Sequence, residues 1–339
     1  MVDVSEFGKG AIRDSIDKRD YKFTENFTAV ALPDTFSVRD KIQTLRNQNG
    51  SGSCGGQAFG YHMETNTFLR DGKFTPLSSK SIYQPVFVSP EGSNARDLLN
   101  RIDSVGVCLE SDVPSYDNGN PPSEAFMEDG SKITAAMLVT AKQYSGKTYL
   151  TFDSTDLSQV KQAIFQGNGA VIAVVGNNPC WTTSNGEITV PGVNTTTWGH
   201  FIFLTGWVVR NGERFFEFVN SWGKEWGDNG FGYLPEAYLT SGFGYNEWVV
   251  IENPLPDTNF HHQFNVNLTY GENSDEVKSL QTILVKMGYN TLITGLYGEM
   301  TRKAVLKFQY DNKVDNPIIL WLLQGKQVGP KTRLILSKI

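Results

Sequence analysis

Two apolar, β-rich runs, Phe201–Val209 and Arg214–Val219, meet across Asn211-Gly212, and this junction constrains the chain more than any other stretch. An Asn-Gly pair favours a tight turn with both central residues at positive φ, so the flanking strands must run antiparallel. His200 opens the first strand and Asn220 follows the second. Twenty residues of sequence therefore fold back to bring an imidazole beside a carboxamide.

A third segment supplies a nucleophile for that pair. Cys54 ends the run Asn47-Gln48-Asn49-Gly50-Ser51-Gly52-Ser53. After it Ala58, Phe59, His62, Met63 and Leu69 recur near helical spacing, with Ser51 or Ser53 expected to cap the helix. A thiolate at the first turn of a helix is stabilised by the helix dipole and by a neighbouring imidazolium. His200 can protonate a leaving amine if its other nitrogen is held in line, a task the Asn220 carbonyl performs without adding charge. Trp222, two residues on, can shield that hydrogen bond from water. Gln48 and the Cys54 amide are spaced to donate to a developing oxyanion.

At 339 residues and 39% hydrophobic content the chain can bury a substantial core and more than one domain. Its net charge of -6 is uneven: residues 255–339 carry 10 Lys+Arg against 7 Asp+Glu, or +3, leaving -9 for residues 1–254. A mildly basic tail suits an anionic surface such as a bacterial wall, and a solvated face accounts for it equally well. With three cysteines and one assigned as nucleophile, Cys108 and Cys180 are either a pair or two separate thiols. No apolar signal region opens the chain, and no run of about 18 uncharged apolar residues spans a membrane.

Residues 1–35 read as an irregular leader, polar and broken by Gly and Pro. Amphipathic helices are expected over Asn94–Gly106 and Asp156–Gly167, and a buried strand over Ala170–Val175. The stretch Glu252–Asn267 lacks periodicity and marks a linker. Beyond it Ser274 caps a helix whose Val277, Leu280, Leu284 and Met287 share one face. Gly298–Arg302 and Gly329–Arg333 introduce two more helices, making a small three-helix bundle.

These residues resemble the papain-like cysteine peptidases of bacterial and viral type. The Cys54 to His200 separation, 200 - 54 = 146, falls within that family's pattern. The likeness extends over about residues 10–250 through Asp17–Tyr21, Val38-Arg39-Asp40, Leu77-Ser78 and Gly227–Phe231. It implies an α+β, two-lobed fold, a helical lobe facing a β-barrel-like lobe across a cleft. It also implies Cys54 as nucleophile, His200 as acid/base, Asn220 as orienting residue and Gln48 as oxyanion donor, with Trp222, Gly92 and Ser93 as substrate-binding residues. The chain departs from the family in having Gly55 where an aromatic usually follows the nucleophile and Ser51 for the first cysteine of a paired motif, and it is expected to do without a long inhibitory propeptide. The tail resembles a three-helix peptidoglycan-binding module through Asp275–Gln281, Thr294–Gly298 and Thr301–Gln309. The apolar run Pro317–Leu323 departs from that pattern.

The expected division is a leader or short pro-segment over 1–35, a peptidase domain over 36–254, a linker over 255–267 and a peptidoglycan-binding-like domain over 268–339. His62 reads as a structural histidine, and His261 and His262 as solvated; no metal or other cofactor is expected. Arg302, Lys303 and Lys307 either meet an anionic glycan or form a solvated face. The expected partners are a peptide or protein substrate and peptidoglycan, with no nucleic acid, for a monomer that is extracellular, wall-associated or phage-encoded. Two rivals stand beside hydrolysis: an acyl transferase or transpeptidase using the same triad, and a non-catalytic wall-binding or virion structural protein.

Overall fold

The computed structural model describes residues 2–90, 92–145, 148–192, 196–253, 257 and 259–339. It divides into two compact units: residues up to Lys18 with Ala31–Ile251, and Arg19–Val30 with Glu252–Ile339. The expected leader is thus shared between the two. Residues 254–256 and 258 of the expected linker lie outside the described residues.

The larger unit is α+β. Its strands are β1 (Ala11–Ile12), β2 (Phe36–Ser37), β3 (Ser93–Asn94), β4 (Thr148–Thr151), β5 (Ala170–Gly176), β6 (Trp198–Arg210), β7 (Glu213–Val219), β8 (Phe231–Pro235) and β9 (Gly244–Ile251). Seven of them form one antiparallel sheet in the order β4-β9-β5-β6-β7-β8, with β2 added beside β6. The Asn-Gly junction is the tight turn the sequence asks for: Asn211 and Gly212 sit at φ 51° and 83°, and Arg210 pairs with Glu213. β5 is apolar on both faces because β6 and β9 flank it and helices and sheet residues cover it.

The helix Cys54–Asp71 packs on this sheet and is buried from Cys54 to Thr67. Phe59 meets Phe201 at 6.3 Å between ring centroids, and His62 meets Phe203 at 5.0 Å. Phe59, Met63, Leu98, Ile102, Phe201 and Phe203 share one core, each aromatic or aliphatic chain contributing about 1.5–3 kcal/mol by leaving water. Gly72, at φ 66°, ends the helix in a left-handed cap. The expected serine cap is not made. Ser53 Oγ instead accepts from Gln57 Nε2 at 3.1 Å and pairs with Ser51 Oγ at 2.8 Å, leaving no lone pair aimed at the first-turn amides. The other two helices begin as their caps dictate, Asn94 accepting from Asp97 N and Asp156 from Ser158 N and Gln159 N. They run Ala95–Ser104 and Leu157–Gly167.

The smaller unit holds the three expected helices, Asp275–Lys286, Glu299–Asp311 and Pro330–Leu336. The apolar run the sequence left unplaced forms a fourth, Pro317–Leu323, and Leu268–Thr269 pairs antiparallel with Gln327–Val328. Ser274 caps the first helix through Val277 N. Val277, Leu280, Leu284, Tyr297, Val305 and Phe308 make the core, while Met287 lies past the last turn and is exposed. Gln281 staples the loop before the second helix: its Oε1 accepts from Thr294 N and Gly295 N, and its Nε2 donates to Leu296 O and Thr301 Oγ1. Residues 19–30 complete this unit. Phe23 stacks on Phe27, and Asn26 Oδ1 accepts from Met300 N at 3.0 Å.

Candidate active site

The hairpin delivers His200 to Asn220. His200 Nε2 lies 2.8 Å from Asn220 Oδ1, and the same oxygen accepts from Ser221 N at 2.8 Å, which fixes the amide orientation. Nε2 therefore carries the proton, and Nδ1 is the nitrogen left for chemistry. Nδ1 is buried with no hydrogen-bond partner among the described residues. Trp222, 1% exposed, covers the pair with its ring 4.7 Å from the imidazole, and Trp181 and Trp198 pack on the ring edge-on.

Gln48 reaches the site from the opposite wall. Its main-chain N donates to Ser221 O, its Oε1 accepts from Ser221 Oγ at 2.5 Å, and its Nε2 donates to Ser51 O at 2.7 Å. The oxygen is thereby occupied and the amide NH2 is aimed inward. Cys54 opens its helix beside this loop, fully buried, with the amides of Phe201, Gly10 and Gly55 turned to its sulfur.

Residues 4–14 run across these groups. Gly8 O accepts from Gln48 Nε2 at 3.1 Å and from Trp222 Nε1 at 3.4 Å, and Phe7 stacks on Trp222 at 5.2 Å. Gly10 O accepts from Ser93 N at 2.9 Å, and β1 pairs with β3 in parallel, Ala11 opposite Ser93. Ala11 O and Ile12 O accept from Tyr245 and Asn246, and Asp14 takes Trp248 Nε1 at 3.0 Å. The approach is too close for side chains: a Cβ on Gly8 would lie 1.8 Å from Ser51 O, one on Gly10 2.1 Å from Gly52 O, and one on Gly92 2.2 Å from Gly10 O. Lys9 projects between Trp198 and Trp222, 5.6 Å from each ring.

This burial sets the protonation states. Removal from water pushes the Cys54 thiol up to about 11, against the pull of the surrounding amides. It pushes His200 down to about 3, with the Lys9 charge adding to the same direction and the Asn220 hydrogen bond opposing it. Both groups are neutral at pH 7 while residues 4–14 are in place.

The departures from the family pattern have local compensation. Leu98 Cδ1 stands 2.5 Å from where a Gly55 Cβ would be, with Ser93 Oγ at 3.0 Å, so neighbours fill the space an aromatic would need. Ser51 Oγ bonds to Gln48 O at 2.7 Å, a polar tie within the loop. Cys54, Cys108 and Cys180 are all free thiols. His62 Nε2 meets Gly167 O at 3.0 Å, and burial holds this imidazole down at about 4.

Sequence reasoning left two features unread. Tyr61 OH accepts from Arg46 N at 2.6 Å and donates to Asn220 O at 3.3 Å, so one hydroxyl on the Cys54 helix ties the Gln48 loop to the Asn220 segment. Its position seven residues after Cys54, on the helix face of Ala58 and His62, was the available signal. The cleft-filling segment gave less: Gly8-Lys9-Gly10 binds through main-chain atoms, which leave no side-chain pattern.

Two regions of the chain match known protein families. Residues 32–242 match the family model for papain family cysteine proteases, and residues 273–315 match the peptidoglycan binding domain model. A cathepsin L-like proteinase of Phaedon cochleariae is 23% identical over 210 residues, and the chain spans 61% of that relative's length as well as 61% of its own. An uncharacterized peptidase C1-like protein of Acanthamoeba polyphaga mimivirus is 24% identical over 284 residues, 74% of this chain and 88% of that protein. Among solved structures, xylellain, a cysteine protease from Xylella fastidiosa, aligns with a TM-score of 0.61 at 23% identity over 72% of this chain and 96% of its own.

Proposed function

The chain belongs to the papain family of cysteine proteases, and from that premise we propose that it hydrolyses peptide bonds through a Cys54 acyl-enzyme, near bacterial cell wall. Cys54 would attack the scissile carbonyl as thiolate. The C–N bond breaks as the His200 imidazolium passes its proton to the leaving amine. Water, deprotonated by His200, then releases the acid and restores the thiol. Asn220 holds the imidazole in line, Gln48 Nε2 and the Cys54 amide receive the oxyanion, Trp222 keeps water from the His200–Asn220 bond, and Gly92 with Ser93 offers an edge to an extended peptide. The observation that carries this reading is the 2.8 Å bond from His200 to Asn220 under Trp222, with Nδ1 free.

The occupied cleft supports a latent form. Gly8 O sits on the Gln48 donor, and Gly10 O sits on Ser93 N, the positions a substrate main chain would use. Displacement or cleavage of residues 4–14 would hydrate the thiol and imidazole and let the charged pair form.

The division into a catalytic domain over 36–254 and a wall-binding domain over 268–339 joined by 255–267 belongs to the same proposal. A module held on peptidoglycan raises the local concentration of wall-associated peptide without changing the chemistry. The test is cleavage profiling on a peptide library beside intact peptidoglycan, with wild type, Cys54→Ala and His200→Ala. Cleavage lost in both variants supports the reading; cleavage retained in Cys54→Ala overturns it.

A further inference from the structure

A cavity of about 720 Å³, broadly open to solvent, lies beside the helix Ala95–Ser104, outside the groups described above. One wall is apolar, formed by Pro85, Val86, Val105, Ile133 and Leu138. Arg101 lines it as well, although only 8% of that residue is exposed. Its Nε is buried with no partner, and its two Nη nitrogens, which keep access to solvent, make no hydrogen bond or ion pair with any described residue. A guanidinium set partly into an apolar wall is ordinarily paired, because a charge held partly out of water is stabilised by an opposite one. Burial pulls the Arg101 pKa down, yet arginine keeps its proton in proteins, so the charge remains. Two neighbours could supply a counter-charge and do not. Burial pushes the nearby Cys108 thiol up, leaving it neutral. Asp97, one turn earlier and on the same cavity wall, turns its carboxylate to Asn94 Nδ2 at 2.7 Å.

We propose that this cavity binds a small amphipathic carboxylate, the Arg101 guanidinium taking the carboxylate in its planar fork and the Val86–Leu138 wall taking the hydrocarbon. The volume lies within the range of small-molecule sites. The shared chemistry is a carboxylate next to a branched or linear apolar chain, carried either by the free C-terminus of a peptide or by a short fatty acid. Asp97 tunes the site: its charge opposes the ligand, and a swing toward Arg101 would compete with it.

The experiment titrates the full chain with N-acetyl-leucine and octanoate, and with N-acetyl-leucinamide and octanamide as uncharged counterparts, following binding by calorimetry and ligand-observed NMR. At least one acid should saturate and bind about tenfold or more tightly than its amide, a difference typical of a charge-assisted contact. Whichever acid binds better identifies the source. Arg101→Gln should weaken binding by about the same factor, Arg101→Lys should recover only part of it because an ammonium cannot reproduce the two-point fork, and Asp97→Asn should tighten it. Equal binding of acid and amide, undiminished binding in Arg101→Gln with its melting temperature intact, or no saturation by either acid up to about 10 mM would overturn the proposal.

Discussion

Gly10→Val tests whether residues 4–14 hold the nucleophile protonated. A Cβ at Gly10 would stand 2.1 Å from Gly52 O, and main chain on both sides leaves no flexible neighbour to move, so the segment must lift. Lifting it breaks the Gly10–Ser93 and Gly8–Gln48 hydrogen bonds and admits water to Cys54. With the thiol at about 11, roughly 0.03% is thiolate at pH 7.5; at the ordinary value of about 8.5 the fraction is about 9%, some 300-fold more. Nucleophilicity falls with thiol basicity, and over this interval it returns about 13-fold, leaving a net acceleration of about 20-fold. Pairing with His200 freed from burial would add to that. The assay is iodoacetamide labelling at pH 7.5 resolved by peptide mass spectrometry, with Cys180 as the internal reference because it is only partly covered. If Gly10→Val lifts the segment, shown by new protease sensitivity near residue 10, and Cys54 still labels at the wild-type rate, the link between segment and ionisation is wrong.

Gln48→Ala should lower kcat by about 100- to 1000-fold with little change in KM, because the lost donor acts on charge that develops in the transition state; steady-state kinetics on an activated protein checks it. With residues 4–14 in place the protein should lose stability in acid. His62 and His200 are held at about 4 and about 3, below their ordinary 6.5, so as pH falls below 6.5 the unfolded chain binds protons first. Stability present above 6.5 is thereby lost toward the folded values, about 2 kcal/mol per histidine by pH 5, and His62→Gln should remove about half of the slope in chemical denaturation from pH 7 to 5. Full-length Cys54→Ala should co-sediment with purified sacculi; failure across several wall types would remove peptidoglycan from the proposal. Incubation with a peptide and a competing amine separates hydrolysis from acyl transfer, with aminolysis greatly exceeding hydrolysis favouring the transferase.

What the sequence revealed depended on which atoms carry the information. Asn211-Gly212 encodes its turn in the φ angles its residues tolerate, so the His200–Asn220 contact was legible before any coordinates. The helix after Cys54 was legible from its apolar spacing, whereas its serine cap was not, because Ser51 and Ser53 had a better use in bonding to each other and to Gln57. Residues 4–14 carry no periodicity, and what places them is absence of side chains: Gly8, Gly10 and Gly92 let main chain meet main chain. Nor could pattern alone show that Asn26 would cap the helix beginning at Glu299, a partnership across 274 residues.

That long-range partnership has a consequence for how the molecule comes apart. The chain leaves the catalytic unit after Lys18, contributes residues 19–30 to the smaller unit, returns at Ala31, and departs again after Ile251. A nick between Lys18 and Arg19 would release the plug over the cleft yet leave the smaller unit fastened through both Ala31 and Glu252. Severing the chain near residue 257 would equally fail to set the smaller unit adrift, since Phe23, Asn26 and Phe27 would still grip it from the other side. Detachment of the smaller unit requires three cuts, one at each crossing, and shedding the plug only one.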